Sequence, residues 1–118
     1  MVNLKESRAF AEDWVDAWNR HDLDAIVSHY ADPPEHSSPL IVERLGRADG
    51  TIRSAEELRA YFQRGLEGAP PLRFELLDVF PGVSSVAVLY RNHRGKTVLE
   101  VMYLDAQNKV TRSTVHYR

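Results

Sequence analysis

Glu100 is the residue of this sequence best placed to do chemistry, because it lies within an apolar run from Val98 to Met102. Alternation along a strand puts its carboxyl group on the same face as those two side chains. A carboxylate buried there needs a partner, a pocket that solvates it, or a raised pKa that keeps it protonated. The pattern therefore predicts either a general acid/base in a cleft or a structural ion pair with Arg91 or Arg112.

His116 is the predicted partner of Glu100 in acid/base chemistry. If the turn at residues 107–108 pairs Asp105 with Lys109, Glu100 opposes Thr114 and becomes a diagonal neighbour of His116 on one face of the sheet. Diagonal neighbours are close enough to share a proton. A register slip of one residue would place the two side chains on opposite faces, and His116 would then be a strand-end histidine without a task.

Helical spacing of apolar residues identifies the elements that must position these groups. A first helix is predicted over residues 4–19, where Trp14 and Trp18 lie on one stripe. Asp22 is the predicted N-cap of a short second helix. The apolar face of that helix extends to Tyr30, and the helix ends at the two prolines that follow, at positions 33 and 34.

A third helix and a series of strands complete the predicted fold. Ser54 and Glu57 have the spacing of a capping box, which predicts a helix that continues to Leu66. Residues 35–52 are predicted to hold one or two short strands. Four longer strands are predicted at residues 72–80, 83–92, 96–104 and 109–117. The short turns between them require antiparallel pairing, so the fold class is α+β: three helices of the N-terminal half on a strongly curved, mostly antiparallel sheet.

Composition limits the classes of function. A chain of 118 residues predicts one domain, residues 1–118, and a net charge of −2 argues against nucleic-acid or anionic membrane partners. There is no cysteine and no histidine spacing typical of a metal site, so neither a metal nor a cofactor is expected. We expect a cytoplasmic protein, because no segment has the apolar length of a membrane span and the start of the chain lacks an apolar signal core.

The strand that carries Glu100 is apolar on both faces. Leu99, Val101 and Tyr103 point away from the Glu100 side, and helices can cover only one face of such a sheet. With Val115 and Tyr117 beside them, they would form a large exposed apolar patch. A homodimer through this sheet face is therefore predicted, unless the sheet curves enough to hide the patch itself.

Four short motifs indicate a protein family: Arg20-His-Asp-Leu-Asp-Ala, Val79-Phe-Pro-Gly, Tyr90-Arg-Asn-His-Arg-Gly and Glu100-Val-Met. With its order of helices, the chain resembles the nuclear transport factor 2-like superfamily, most closely its SnoaL-like branch. The resemblance implies a cone of three helices and a bent sheet around an internal pocket, commonly in a dimer. It does not imply one activity, because this superfamily contains isomerases, cyclases, hydrolases, dehydratases and non-catalytic binders.

The residues at the positions that match the catalytic residues of one branch of the superfamily argue against its activity. Ketosteroid isomerases of the superfamily carry a tyrosine acid in the first helix and an aspartate base before a proline. The matching positions in this sequence are Trp14 and Ser38. An indole has no ionisable hydroxyl and a serine hydroxyl is a poor base, so that reaction is not expected here.

The pocket that the resemblance implies predicts a set of ligand contacts. Aromatic residues on inner faces either pack the core or line the pocket, and a buried tyrosine hydroxyl must find a partner. The predicted contacts are Trp14, Tyr30, His36, Tyr61, Tyr90 and Met102. We therefore expect a binding protein for an apolar or polycyclic small molecule. The alternative is a cofactor-free lyase or isomerase in which Glu100 is the general acid or base.

Overall fold

A computed structural model describes residues 2–118 as four helices on one six-stranded sheet. The helices are α1 (Leu4–Asn19), α2 (Leu23–Val27), α3 (Pro39–Leu45) and α4 (Ala55–Leu66). The strands are β1 (Tyr30–Ser37), β2 (Thr51–Ile52), β3 (Glu75–Pro81), β4 (Ser85–Arg91), β5 (Thr97–Leu104) and β6 (Val110–Tyr117). The strand order is β2-β1-β6-β5-β4-β3. Only β1 and β6 are parallel, so the predicted mostly antiparallel α+β fold is confirmed.

Helices α2 and α4 begin where the capping residues predict, because Asp22 and Ser54 are their N-caps. The Asp22 side chain accepts a hydrogen bond from the Ala25 backbone N–H at the start of α2. The end of α2 was predicted wrongly, because the helix stops at Val27 and Tyr30 begins β1. Both prolines lie inside β1, where its register against β6 shifts. A proline that cannot donate to a sheet ladder is tolerated at such an irregular stretch.

Helix α3 is an element that the sequence reasoning missed. The Ser38 side chain accepts a hydrogen bond from the Leu40 backbone N–H, and Pro39 occupies the first helical turn. The helix ends at Gly46, whose φ of 62° is in the left-handed region that favours glycine. Serine, proline and glycine at these places are the usual signals of a helix. The four helices therefore include one between β1 and β2, where only strands and a turn were predicted.

Asn19 ties the end of α1 to the start of β3. Its Nδ2 donates to the Phe74 carbonyl at 2.9 Å, and its Oδ1 accepts from the Phe74 N–H at 2.7 Å. Phe74 in turn packs its ring against Trp14 and Tyr90, with centroids 5.8 and 4.5 Å apart. The last residue of α1 thus fixes the position of this helix over the sheet.

Alternation along β5 is confirmed, with the side chain of Glu100 on the inner face. The outward row includes Leu99 and Val101, which are half-buried, and Tyr103, which is 42% exposed. Val115 pairs with Glu100, so Val115 and its neighbour Tyr117 face inward, and their predicted place beside the outer patch was wrong. The outer patch is formed instead by the apolar side chains that share its rows: Phe80, Ala87, Leu89, Leu99, Val101 and Tyr103.

The homodimer through this outer face stays a prediction. Sedimentation velocity at micromolar concentration should give a mass near twice the 13.5 kDa of the chain. Val101→Lys puts a charge at the centre of the patch and should shift the mass to that of one chain, while Gln63→Lys on the exposed face of α4 should not. A wild-type mass near 13.5 kDa would contradict the dimer.

Candidate functional site

A cavity of about 750 Å³ lies between the helices and the inner face of the sheet. Its walls come from α1, α3 and α4, from the inner faces of β4, β5 and β6, and from the turn between β4 and β5. The volume lies within the range of small-molecule sites. Its deep part is lined by buried aromatic rings and one buried acid: Trp14, Trp18, Phe62, Phe74, Tyr90 and Glu100.

Glu100 is buried in this wall without a cation. The residue is 3% exposed, and its Oε1 atom accepts a hydrogen bond of 2.9 Å from the Tyr90 hydroxyl. Burial raises the pKa of Glu100 to about 7, and the Tyr90 hydrogen bond acts against that rise. The ion pairs that sequence left open do not form, because Arg91 pairs with Glu75 and Arg112 lies over the Tyr103 ring on the outer face.

Tyrosine side chains surround the Glu100 carboxyl. Burial raises the pKa of Tyr90 and of Tyr30 well above the usual value, and the nearby Glu100 raises both further. Burial also raises the pKa of Tyr117 to about 12, again with a contribution from Glu100. All three phenols are therefore protonated at neutral pH and can act only as hydrogen-bond donors or acceptors.

His36 lines the cavity beside Tyr61 and Phe62 and is 4% exposed. Its Nδ1 lies 2.5 Å from Oγ of Ser113 on β6. Burial lowers the pKa of His36 to about 4, so the imidazole is neutral at physiological pH. A neutral histidine in this wall can offer a hydrogen bond to a ligand without adding a charge.

His116 does not meet Glu100, and its predicted partnership was wrong. Tyr103 pairs with Arg112 while Leu104 pairs with Val110, so a bulge places one extra residue in β6. The backbone pairing of Asp105 with Lys109 is present, but the bulge shifts every later pair by one residue. His116 therefore opposes Leu99 on the outer face, and Val115 opposes Glu100.

Two predicted ligand contacts, Tyr30 and Met102, lie behind the cavity wall. The Tyr30 hydroxyl accepts a hydrogen bond of 3.1 Å from Nε1 of Trp14, which lines the cavity, and Tyr30 itself is not among the lining residues. Met102 is completely buried and pairs with Val86 and Ser113, further along β5 than Glu100. The other predicted contacts are among the lining residues: Trp14, His36, Tyr61 and Tyr90.

A basic rim at the mouth of the cavity is the part of the site that sequence reasoning missed. We use "basic rim" for the cationic side chains among the lining residues: Arg44, Arg64, Arg94, Lys96 and Arg118. Two of them, Arg94 and Lys96, come from the turn between β4 and β5, one of the short turns that the sequence predicts. Antiparallel pairing of β4 with β5 brings that turn to the cavity. Tyr90 pairs with Val98, which is two residues before Glu100 along β5. Arg44 comes from the missed helix α3.

The site combines a buried acid with an apolar wall and neutral hydrogen-bonding groups. A carboxyl group with a pKa of about 7 exchanges a proton readily at physiological pH. Among residues 2–118 no group of three metal-ligating side chains is found, and no helix is long and apolar enough to cross a membrane. The arrangement offers one proton-transfer group beside an aromatic wall.

The sequence matches the model of the SnoaL-like domain family over residues 11–117. Comparison with curated proteins finds no matching sequence. Among solved structures, a SnoaL-like protein of unknown function from Burkholderia thailandensis is 41% identical, with a TM-score of 0.95 over 99% of this chain and 98% of that one. That similarity extends over almost the whole of both chains.

More distant structures share the fold. An NTF2-like protein of unknown function from Cytophaga hutchinsonii is 12% identical, with a TM-score of 0.73 over 95% of this chain and 89% of that one. AclR, a putative hydroxylase from Streptomyces galilaeus, is 21% identical, with a TM-score of 0.75 over 98% of this chain and 77% of that one. At such identities the likeness shows the architecture alone.

The buried acid predicts a pH-dependent stability that Glu100→Gln removes. Because the pKa of Glu100 rises from 4.5 to about 7 on folding, the folded state keeps a proton that the unfolded state loses. Its contribution to the free energy of unfolding is full below pH 4.5 and falls by on the order of 3 kcal/mol by pH 7. Urea unfolding at about pH 4 and about pH 8 should show the variant gaining stability relative to wild type by that amount.

Because His36 also titrates, the pH dependence of wild-type stability does not by itself measure the contribution of Glu100. Its pKa falls from 6.5 to about 4 on folding, so its contribution to stability rises with pH in the same range. The two slopes oppose each other in wild type, whereas the difference between wild type and Glu100→Gln isolates Glu100. A difference that stays constant with pH would show that Glu100 is not protonated in the folded protein.

Proposed function

Because the chain belongs to the SnoaL-like domain family, we propose that it binds a small, flat and largely apolar molecule in the cavity. One observation carries the proposal: about 750 Å³ of space is walled by aromatic rings on both the helix and the sheet side. Rings of this kind are held in place by one another, as Phe62 packs edge-on to Trp18 with centroids 4.9 Å apart. A rigid aromatic wall favours a ligand that is itself planar and apolar.

Polar groups in the wall give such a ligand an orientation. Glu100, His36 and the Tyr61 hydroxyl lie on different walls of the cavity, and each can form a hydrogen bond with a carbonyl or hydroxyl group. A mostly apolar pocket with a few convergent polar groups is the usual composition of a small-molecule site. A chain without cysteine has no disulfide, which fits a reducing compartment, and we propose a cytoplasmic location.

The second candidate function is cofactor-free acid/base catalysis at Glu100. It is favoured by the burial of this carboxyl at the cavity, which brings its pKa to about 7. General bases work best when their pKa lies near the working pH. In this function Glu100 removes a proton from a carbon next to a carbonyl group of the bound molecule, and Tyr90 positions the carboxyl through its hydrogen bond.

Binding is tested with N-phenyl-1-naphthylamine, a neutral aromatic probe that fluoresces in apolar surroundings. Wild type should bind it at one site per chain. Gly65 lines the cavity and a Cβ there meets no atom within 4 Å, so Gly65→Phe should fill the space and weaken binding by about 1–3 kcal/mol. Gln63→Phe, which adds the same ring to the exposed side of α4, should bind as wild type does. No saturable binding by wild type would refute the proposal.

Catalysis is tested by hydrogen–deuterium exchange of 2-tetralone, a bicyclic ketone, in D₂O. A Glu100 carboxylate oxygen takes the α-proton, an enolate forms, and return of a deuteron regenerates the labelled ketone. Wild type should accelerate the exchange, and Glu100→Gln should lose about 10²–10⁴-fold of the acceleration. Proton NMR measures the rate. Equal exchange by wild type and Glu100→Gln would leave binding as the function and remove catalysis.

A further inference from the structure

The sequence contains twelve arginine residues. Six of them form ion pairs with a carboxylate: Arg8, Arg20, Arg47, Arg53, Arg59 and Arg91. Within residues 2–118, none of the five cations of the basic rim has a carboxylate at salt-bridge distance. The lining residues include only two acids, Glu43 at the exposed end and the buried Glu100. Within residues 2–118, nine of the fifteen lysine and arginine side chains have no carboxylate at salt-bridge distance, and five of those nine line this cavity.

The turn between β4 and β5 holds two of these cations in a defined conformation. The Asn92 side-chain Oδ1 accepts hydrogen bonds of 3.0 Å from the backbone N–H groups of both Arg94 and Lys96. Gly95 supplies the left-handed residue of the turn, with a φ of 76°. The Asn92 backbone N–H donates to the Lys96 carbonyl and the Gly95 N–H donates to the Asn92 carbonyl, and these two bonds close the turn. The basic side chains therefore start from a fixed backbone at the cavity mouth.

Arg44 and His93 show that the positive charges act on the same space. The pKa of His93 is lowered by burial first and then by the nearby charges of Arg94 and Arg44, so these two cations from different walls converge there. His93 Nδ1 is buried and has no hydrogen-bond partner in the described part of the chain. In the tautomer that carries its proton on Nδ1, the neutral His93 imidazole can donate a hydrogen bond to an anionic oxygen atom.

The interior of the cavity has the opposite character. Tyr61 and Tyr117 lie between the two ends, since the charges of Arg44 and of Glu100 both act on their hydroxyl groups. A ligand anion placed deep would meet the Glu100 carboxyl and lose its water without a compensating cation. At the mouth, the same anion would keep part of its hydration and contact several cations.

We propose that the ligand is an aromatic or polycyclic acid, with its apolar rings against the deep aromatic wall and its carboxylate at the basic rim. This inference rests on the proposed binding function and adds the charge and orientation of the ligand. Arg44 on one wall and Arg94 with Lys96 on the other contact the carboxylate from two sides. The ring system then extends toward Glu100 and His36.

The experiment compares two competitors that differ only in charge. 1-Naphthylacetate and 1-naphthylacetamide are nearly equal in shape, and each is titrated against bound N-phenyl-1-naphthylamine. Wild type should bind the acetate about tenfold more tightly, since each exposed charge pair adds only a few-fold. Arg44→Ala/Arg94→Ala should reduce that ratio to near one. The preference should also fall as salt is added, because the rim is exposed.

Lys5→Glu is the matched control for net charge. It changes the charge of the protein by the same two units as the double variant, and it lies at the start of α1, away from the cavity. This variant should keep the preference for the acetate. A wild-type ratio near one, or an equal loss in Lys5→Glu, overturns the inference while the neutral probe still reports a working site. Failure of the neutral probe to bind wild type refutes the binding function itself, and this inference with it.

Discussion

The burial of one carboxyl group without a counter-ion is the constraint on which the site depends. Glu100 lies in the middle of β5, and within residues 2–118 its side chain accepts one hydrogen bond, from the Tyr90 hydroxyl. Removing a carboxylate from water is costly, so the group responds by holding its proton to a pKa of about 7. The position is tolerable because the carboxyl borders a cavity and is not enclosed by hydrocarbon on every side. The same burial that costs stability at high pH supplies a proton-transfer group at neutral pH.

The bulge in β6 decides what surrounds that carboxyl. Without the extra residue, His116 and Thr114 would share the inner face with Glu100. With it, Val115 and Tyr117 lie there, and the histidine faces outward. The environment of the acid is therefore apolar and phenolic, with no imidazole in reach from this strand. One extra residue near the turn between β5 and β6 thus changes which side chains surround Glu100, and with them the chemistry of the site.

The cavity is polar at one end and aromatic at the other because two different kinds of element build it. Regular helices and strands supply the deep wall, where alternation and helical spacing select large rings. The short helix α3 and the tight turn at residues 92–96 supply the mouth, where arginine and lysine side chains reach solvent. Charges at an exposed mouth cost little to desolvate, and charges at the base would cost much. This separation of charged and aromatic surface is the basis of the ligand orientation that we propose.

The sequence by itself determined the elements whose signals are local. The stripe of Trp14 and Trp18, the cap at Asp22 and the alternation around Glu100 each reflect forces between residues close along the chain, and each is found in the structure. Helix α3 could have been found in the same way, from Ser38, Pro39 and Gly46. Only the tertiary structure decided that His116 lies on the outer face, that Met102 lies behind the cavity wall and that the cations of the basic rim surround one cavity. Those outcomes depend on register and on packing between distant segments, for which no local pattern carries the information.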